Sequence, residues 1–198
     1  DTLSPTDGGE ASRYSLSGAW NKTAQDSATA ANAYVIRNRL DLWNDFTFFQ
    51  NDPVNGDQFQ QTDRRVTSGF NASHTLFGKW RGHEVENTFG VQARNDNVNV
   101  GLYSTLQRAV IATTRVDDVI ETSAAAYYQN SLRWSDWFRT VAGLRADYYR
   151  GKVTSDNALN SGNATDHMLS PKVSLIFGPW AQTEYFVNYG RGFRSNDL

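Results

Sequence analysis

Apolar and polar residues alternate along most of this chain, and the alternation sets its architecture. Residues 12–22 place Tyr14, Leu16, Gly18 and Trp20 against Arg13, Ser15 and Ser17. In residues 33–42, Tyr34, Ile36, Asn38, Leu40 and Leu42 face away from Val35, Arg37, Arg39 and Asp41. Residues 138–149 give the cleanest case, with Phe138, Thr140, Ala142, Leu144, Ala146 and Tyr148 opposite Arg139, Gly143, Arg145 and Asp147. A period of two with aromatic and β-branched residues predicts strands with unlike faces. The same pattern covers residues 65–77, 84–94 and 119–132, starts at 46–50, and recurs in a closing hairpin. In that hairpin Val173, Leu175 and Phe177 precede a Gly178-Pro179 break, and Tyr185, Val187 and Tyr189 follow it. About nine strands result, most close to the roughly 9–11 residues that cross a bilayer when tilted.

The connections alternate in length. Short turns are predicted near 43–45, 78–82, 133–137 and 178–182, and long polar loops at 23–32, 51–63, 95–118 (with room for extended structure of its own around Gly101–Arg115) and 151–166. In an up-and-down meander this puts every short turn at one end and every long loop at the other, the arrangement of outer-membrane barrels. Five of the six tryptophans (Trp43, Trp80, Trp134, Trp137 and Trp180) fall in or beside the short turns. Trp favours the headgroup level, where its ring is half apolar and its N–H finds a polar partner. Tyr14, Tyr34, Tyr128 and Tyr148 would approach the opposite rim. The other faces carry Arg37, Arg39, Arg65, Glu84, Glu86, Arg94, Arg139, Arg145 and Asp147. An arginine at the bilayer midplane costs roughly 2–4 kcal/mol, so these residues are expected to line a lumen and the apolar face to meet lipid. A soluble β-sandwich explains the alternation but neither the loop asymmetry nor the row of Trp.

Composition narrows the function classes. The 198 residues carry a formal net charge of −2, which offers no basic footprint for nucleic acid. There is no cysteine, so no disulfide framework or thiolate metal site. No apolar run reaches the ~18 residues of a spanning helix. His74, His83 and His167 are far apart in sequence, and no metal centre is expected from them. Asp117-Asp118 and Asn95-Asp96-Asn97 are candidate loop calcium ligands, more simply solvated loop residues. Nucleophile-elbow, phosphate-loop and zinc-protease motifs are absent, so neither catalysis nor a cofactor is expected. The ligand-binding candidates are the lumen arginines Arg139, Arg145 and Arg94. They either steer an anionic ligand or pair with carboxylates and a plug. Gly190-Arg191-Gly192-Phe193-Arg194 reads as the flexible entry to a loop.

The closing stretch S-P-K-V-S-L-I-F-G-P-W-A-Q-T-E-Y-F-V-N-Y-G-R-G-F-R-S-N-D resembles a barrel hairpin of TonB-dependent outer-membrane receptors. T-D-G-G-E-A-S-R-Y-S-L-S-G-A-W is similar to an earlier turn and strand of that family. The resemblance implies an all-β fold, an antiparallel up-and-down transmembrane β-barrel of 22 strands plugged by another domain. It implies TonB-dependent uptake of a scarce nutrient such as a ferric siderophore, haem or cobalamin, driven through TonB-ExbB-ExbD. The expected partners are outer-membrane lipid, the plug domain of the same full-length receptor and a metal chelate. The expected location is the outer membrane of a Gram-negative bacterium. An odd number of strands cannot close an antiparallel barrel, so residues 1–198 are expected to be one partial barrel domain, an internal section of a larger receptor. A passive pore or structural barrel without TonB coupling, and a soluble carbohydrate-binding sandwich, are the alternatives.

Overall fold

The alternating segments form strands that run well beyond the stretches where alternation is clean. In the computed structural model, which describes residues 5–192, they are β1 (Gly8–Thr23), β2 (Ser27–Asn44), β3 (Phe59–Trp80), β4 (His83–Leu106), β5 (Ala109–Ser135), β6 (Phe138–Ser155), β7 (Gly162–Trp180) and β8 (Thr183–Gly190). They make one antiparallel sheet whose spatial order is the chain order, β1 through β8. A single 3-10 turn, Ala158–Asn160, interrupts the connection from β6 to β7.

The register fixes the faces, because directly opposed residues share a side of the sheet. Leu16 pairs with Val35, Phe70 with Ala93, Val91 with Ala126, Tyr128 with Leu144, and Ala146 with Leu169. These rows form an apolar band across the sheet. Nothing in the fold covers it: Leu16 is 73% exposed, Phe89 49% and Leu169 58%. Only Val98, Leu132 and Ile176 are buried hydrophobic residues among those described. A soluble sandwich buries such a face beneath a second sheet, and here there is one sheet, so the sandwich alternative fails.

Four expectations change. Residues 46–50 are not a strand but part of the connection at 45–58, so the described strands number eight and the odd-number argument for incompleteness lapses. The turn expected at 43–45 is absent, since Trp43 and Asn44 still pair with Gln60 and Phe59. The loop at 23–32 shrinks to residues 24–26, with Ser27 already on the ladder to Leu76. The long connection at 95–118 is mostly strand, ending in a hairpin turn at Gln107 and Arg108. Asn and Asp there resemble loop formers, yet their side chains bridge strands: Asn99 donates to Asp118 at 2.9 Å and Asn95 to Thr122 at 2.8 Å.

With eight strands, β1 and β2 run opposite to the directions expected for them. Turns 24–26, 81–82, 136–137 and 181–182 lie at one end, and connections 45–58, 107–108 and 156–161 at the other. Three tight turns have positive φ at both central residues: Arg81 and Gly82 (51° and 86°), Gln107 and Arg108 (49° and 69°), and Ala181 and Gln182 (48° and 63°). That is the mirror-image turn whose twist matches the flanking strands. At each non-glycine position it costs on the order of 1 kcal/mol. The closing hairpin therefore reverses at 181–182, not at Gly178-Pro179, where β7 instead shifts register.

Candidate functional site

The polar face is built on a repeated local device, an arginine two residues before an aspartate on the same strand. Successive odd or even strand positions share a face, so the two side chains meet without help from another strand. Arg94 Nε donates to Asp96 at 2.6 Å, Arg115 to Asp117 at 2.6 Å, and Arg145 to Asp147 at 2.9 Å. The carboxylates are buried; Thr67 Oγ1 also donates to Asp96 at 2.6 Å, and the other arm of Arg145 is held by Gln92 Oε1 at 2.7 Å. Charge-assisted pairs of this length neutralise the face strand by strand.

Two of the three expected ligand candidates converge. Arg94 and Arg145 line one recess of about 190 Å³ with Tyr34, Asn71, Gln92, Asp147 and Tyr149. Arg139 lies elsewhere, near the end of the sheet with tight turns, where its Nη2 is 3.9 Å from Glu184 Oε1. Arg65, Glu84, Glu86 and Asp147 share the polar face as expected. Arg37 and Arg39 do not: Arg37 opposes Tyr14 and Val66, which places both on the side of the apolar band. Tyr34 is displaced the other way, from the apolar to the polar face. Its ring covers Gly69, where a Cβ would sit 2.2 Å from Tyr34 Cζ. On β2 both faces carry apolar residues, so the sequence pattern alone assigned them the wrong way round.

The remaining candidates separate. His74 accepts or donates at 2.8 Å with Thr29, His83 packs 5.8 Å from the Trp134 ring, and His167 is exposed, so three strands keep them apart. Asp117 and Asp118 are consecutive on β5 and point to opposite faces, as do Asn95, Asp96 and Asn97 on β4. Neither set can converge on calcium, and no cluster of three metal-ligating side chains occurs among the described residues. Gly190 is the last residue of β8, paired with Lys172, and Arg191 and Gly192 follow it, whereas Phe193 and Arg194 lie outside the described residues.

Aromatic residues concentrate at the end carrying the tight turns. Trp80 meets Trp134 edge-on at 6.1 Å, Trp137 stacks on Trp180 at 6.2 Å, and Phe138 stacks on Phe177 at 5.0 Å. Trp43 is the exception to the expected row. It lies at the opposite end, with the Arg108 guanidinium 4.8 Å from its ring centroid. There the sequence concealed a polar knot. Gln58, 5% exposed, takes Thr105 Oγ1 at 3.0 Å and Arg108 N at 2.9 Å on its Oε1, and donates to Thr6 at 2.7 Å.

An uncovered apolar band, a rim of tryptophan and an opposite face of paired charges define a wall of an up-and-down β-barrel. The sequence model of the family "TonB dependent receptor-like, beta-barrel" matches residues 2–198, and the chain belongs to that family. It is a family of receptors and transporters. Among solved structures, the ferric citrate transporter FecA in the unliganded form is similar over 94% of this chain and 28% of its own, at 10% identity and a TM-score of 0.76. The ferric yersiniabactin uptake receptor FyuA from Yersinia pestis is similar over 86% of this chain and 26% of its own, at 12% identity and a TM-score of 0.59. The chain thus spans about a quarter of the length of each. No curated protein matches the sequence.

Proposed function

We propose that this chain is a wall section of an outer-membrane receptor that takes up a scarce nutrient as a metal chelate, such as a ferric siderophore, haem or cobalamin. Uptake would be driven by TonB-ExbB-ExbD through a plug domain belonging to the same receptor. The observation that carries this reading is the contrast between the faces. An apolar band bounded by Trp80, Trp134, Trp137 and Trp180 backs a face of Arg–Asp pairs and a recess holding Arg94 and Arg145. The apolar side suits lipid of the Gram-negative outer membrane, and the paired side suits a polar lumen filled by a plug.

Family membership favours energised transport over a passive pore. The relation to a ferric citrate transporter and a ferric yersiniabactin receptor points to chelated iron within the substrate class. The edges support a larger wall: β1 and β8 are exposed along their whole lengths, and long unpaired edges are templates for further strands.

The test is uptake of a panel of radiolabelled ferric chelates by cells that express the full-length receptor as their sole candidate importer. Uptake of at least one chelate that stops when TonB is deleted is the expected result. Uptake that continues without TonB would instead establish the passive pore.

A further inference from the structure

The apolar face does not end in ordinary polar surface on β2 and β3. Val35 lies in the band, and two residues further along the strand stands Arg37, flanked across the ladders by Tyr14 and Val66. One more step brings Arg39, directly opposite Arg64, which in turn faces Asn99. Arg37, Arg39, Arg64, Val66, Asn97 and Asn99 line one depression of about 310 Å³ at the end of the sheet where connection 45–58 emerges. Asp41 takes Arg39 at 2.7 Å and Arg64 at 3.6 Å, while Arg37 pairs with no carboxylate among the described residues. Among the described residues three guanidinium groups and Lys152, opposite Ile120 in the row of Arg37, share this face with Asp41, its cross-strand neighbour Glu10 and Asp118, which accepts from Asn99 at 2.9 Å, so this rim carries a net positive charge.

We infer that this patch is a docking site for the phosphate group of an outer-leaflet lipid, with the acyl chains lying along the apolar band below it. The inference rests on the membrane reading above. Its position selects the occupant. The patch is on the banded side of the sheet, so a nutrient in the lumen cannot reach it, and its lower edge is apolar, as an amphiphile requires. Guanidinium forks match phosphate oxygens in pairs, and a basic patch at a membrane surface attracts anionic headgroups. Arg37, which has no carboxylate of its own, is the group left to a ligand. Arg39 and Arg64, held by Asp41, supply fixed positive charge beside it.

Native mass spectrometry of the full-length receptor in detergent, mixed with equal amounts of phosphatidic acid and phosphatidylcholine, tests the site. The wild type should retain phosphatidic acid preferentially, and Arg37→Gln/Arg64→Gln should lower that preference roughly tenfold or more. Arg13→Gln, a charge loss on the polar face, should leave it intact. Equal retention by the double variant and the wild type, both still extracted from membranes as heat-modifiable barrels, overturns this inference and leaves the membrane reading standing. Displacement of the lipid by millimolar inorganic phosphate also overturns it, in favour of a free-anion site. A receptor that remains soluble after lysis overturns both.

Discussion

Arg108 stacks its guanidinium over Trp43, joining the tip of the β4–β5 hairpin to the strand that leads into connection 45–58. The same arginine donates from Nε to the Thr6 carbonyl at 2.8 Å, and its backbone N–H donates to Gln58. Three segments far apart in sequence therefore meet at one end of the sheet. Gln58→Ala would remove the acceptor of both Thr105 Oγ1 and Arg108 N–H. Stranding buried polar groups costs about 1–3 kcal/mol, so the variant should expose connection 45–58 to protease several-fold faster than wild type while the strands stay protected. Limited proteolysis followed by peptide mapping reads this directly.

The Arg145–Asp147 pair is lopsided, with side-chain exposures of 34% and 3%. Losing the arginine strands a buried carboxylate, whereas losing the aspartate leaves a cation that can reach solvent. Arg145→Ala should therefore destabilise by roughly 2–3 kcal/mol, more than Asp147→Ala, and the double variant should recover part of the loss. The midpoint of the heat-modifiable gel shift for the three variants gives the order. If Asp147→Ala is the most damaging, the pair does not govern this face.

Connection 45–58 is held by two carboxylates. Asp57 accepts Asn51 N at 2.9 Å and Asp52 N at 2.8 Å, and Asp52 accepts Asn55 N at 2.9 Å and Val54 N at 3.0 Å. Backbone N–H donors, first Asn51 for Asp57 and first Asn55 for Asp52, hold both below the usual carboxylate range. Their contribution is present above the unfolded carboxylate pKa, about 4, and is lost as pH falls through the lower folded values. Asp45 has the opposite sign, because burial pushes it up and its ionisation on raising pH opposes the fold. Amide protection in 51–57, taken relative to the intrinsic exchange rate at each pH, should fall on acidification below about pH 4. Asp52→Asn and Asp57→Asn should flatten that dependence, while Asp45→Asn should not.

The Tyr127 ring lies over Gly90 so closely that a Cβ there would be 2.1 Å from Tyr127 Cζ. Gly90→Ala pushes the ring off the sheet and Tyr127→Ala removes it, so both lose the same contact. Each should cost about 1 kcal/mol, in the range of aromatic cross-strand pairs. The double variant should cost little more than either alone. Additive losses in thermal melts would mean that the ring and the glycine act separately.

Much of the sheet was legible because hydrophobic periodicity survives wherever one face meets an apolar medium. Residues 138–149 and 65–77 show it, and their register agrees with the alternation. Beyond β2, whose two apolar faces reversed the assignment, three of its failures have distinct physical causes. Phe46, Phe48 and Phe49 supply strand-like aromatics, but Phe48 adopts a φ of 57° and Phe46 packs on Phe59 at 5.8 Å within a loop. In residues 95–118 the alternation inverts past the apolar band, with Asn97 and Asn99 on the banded side and Val98 and Val100 on the polar side, while the backbone ladder continues. Gln107 and Arg108 make a turn usually announced by Asn or Gly, and the surrounding polar knot offsets that strain. Of the site, Arg94 and Arg145 were legible. Their neutralising partners were also visible, as R-N-D and R-A-D, but only the strand geometry shows that residues two apart must pair.

That two-residue spacing matters for assembly. Arg94, Arg115 and Arg145 each find a counterion on their own strand, so these three charges enter the membrane already balanced. None of these three arginines has to wait for a neighbouring strand before it can leave water. At these three positions the wall can grow by one hairpin at a time, and exchanging a hairpin removes a buried aspartate together with its arginine.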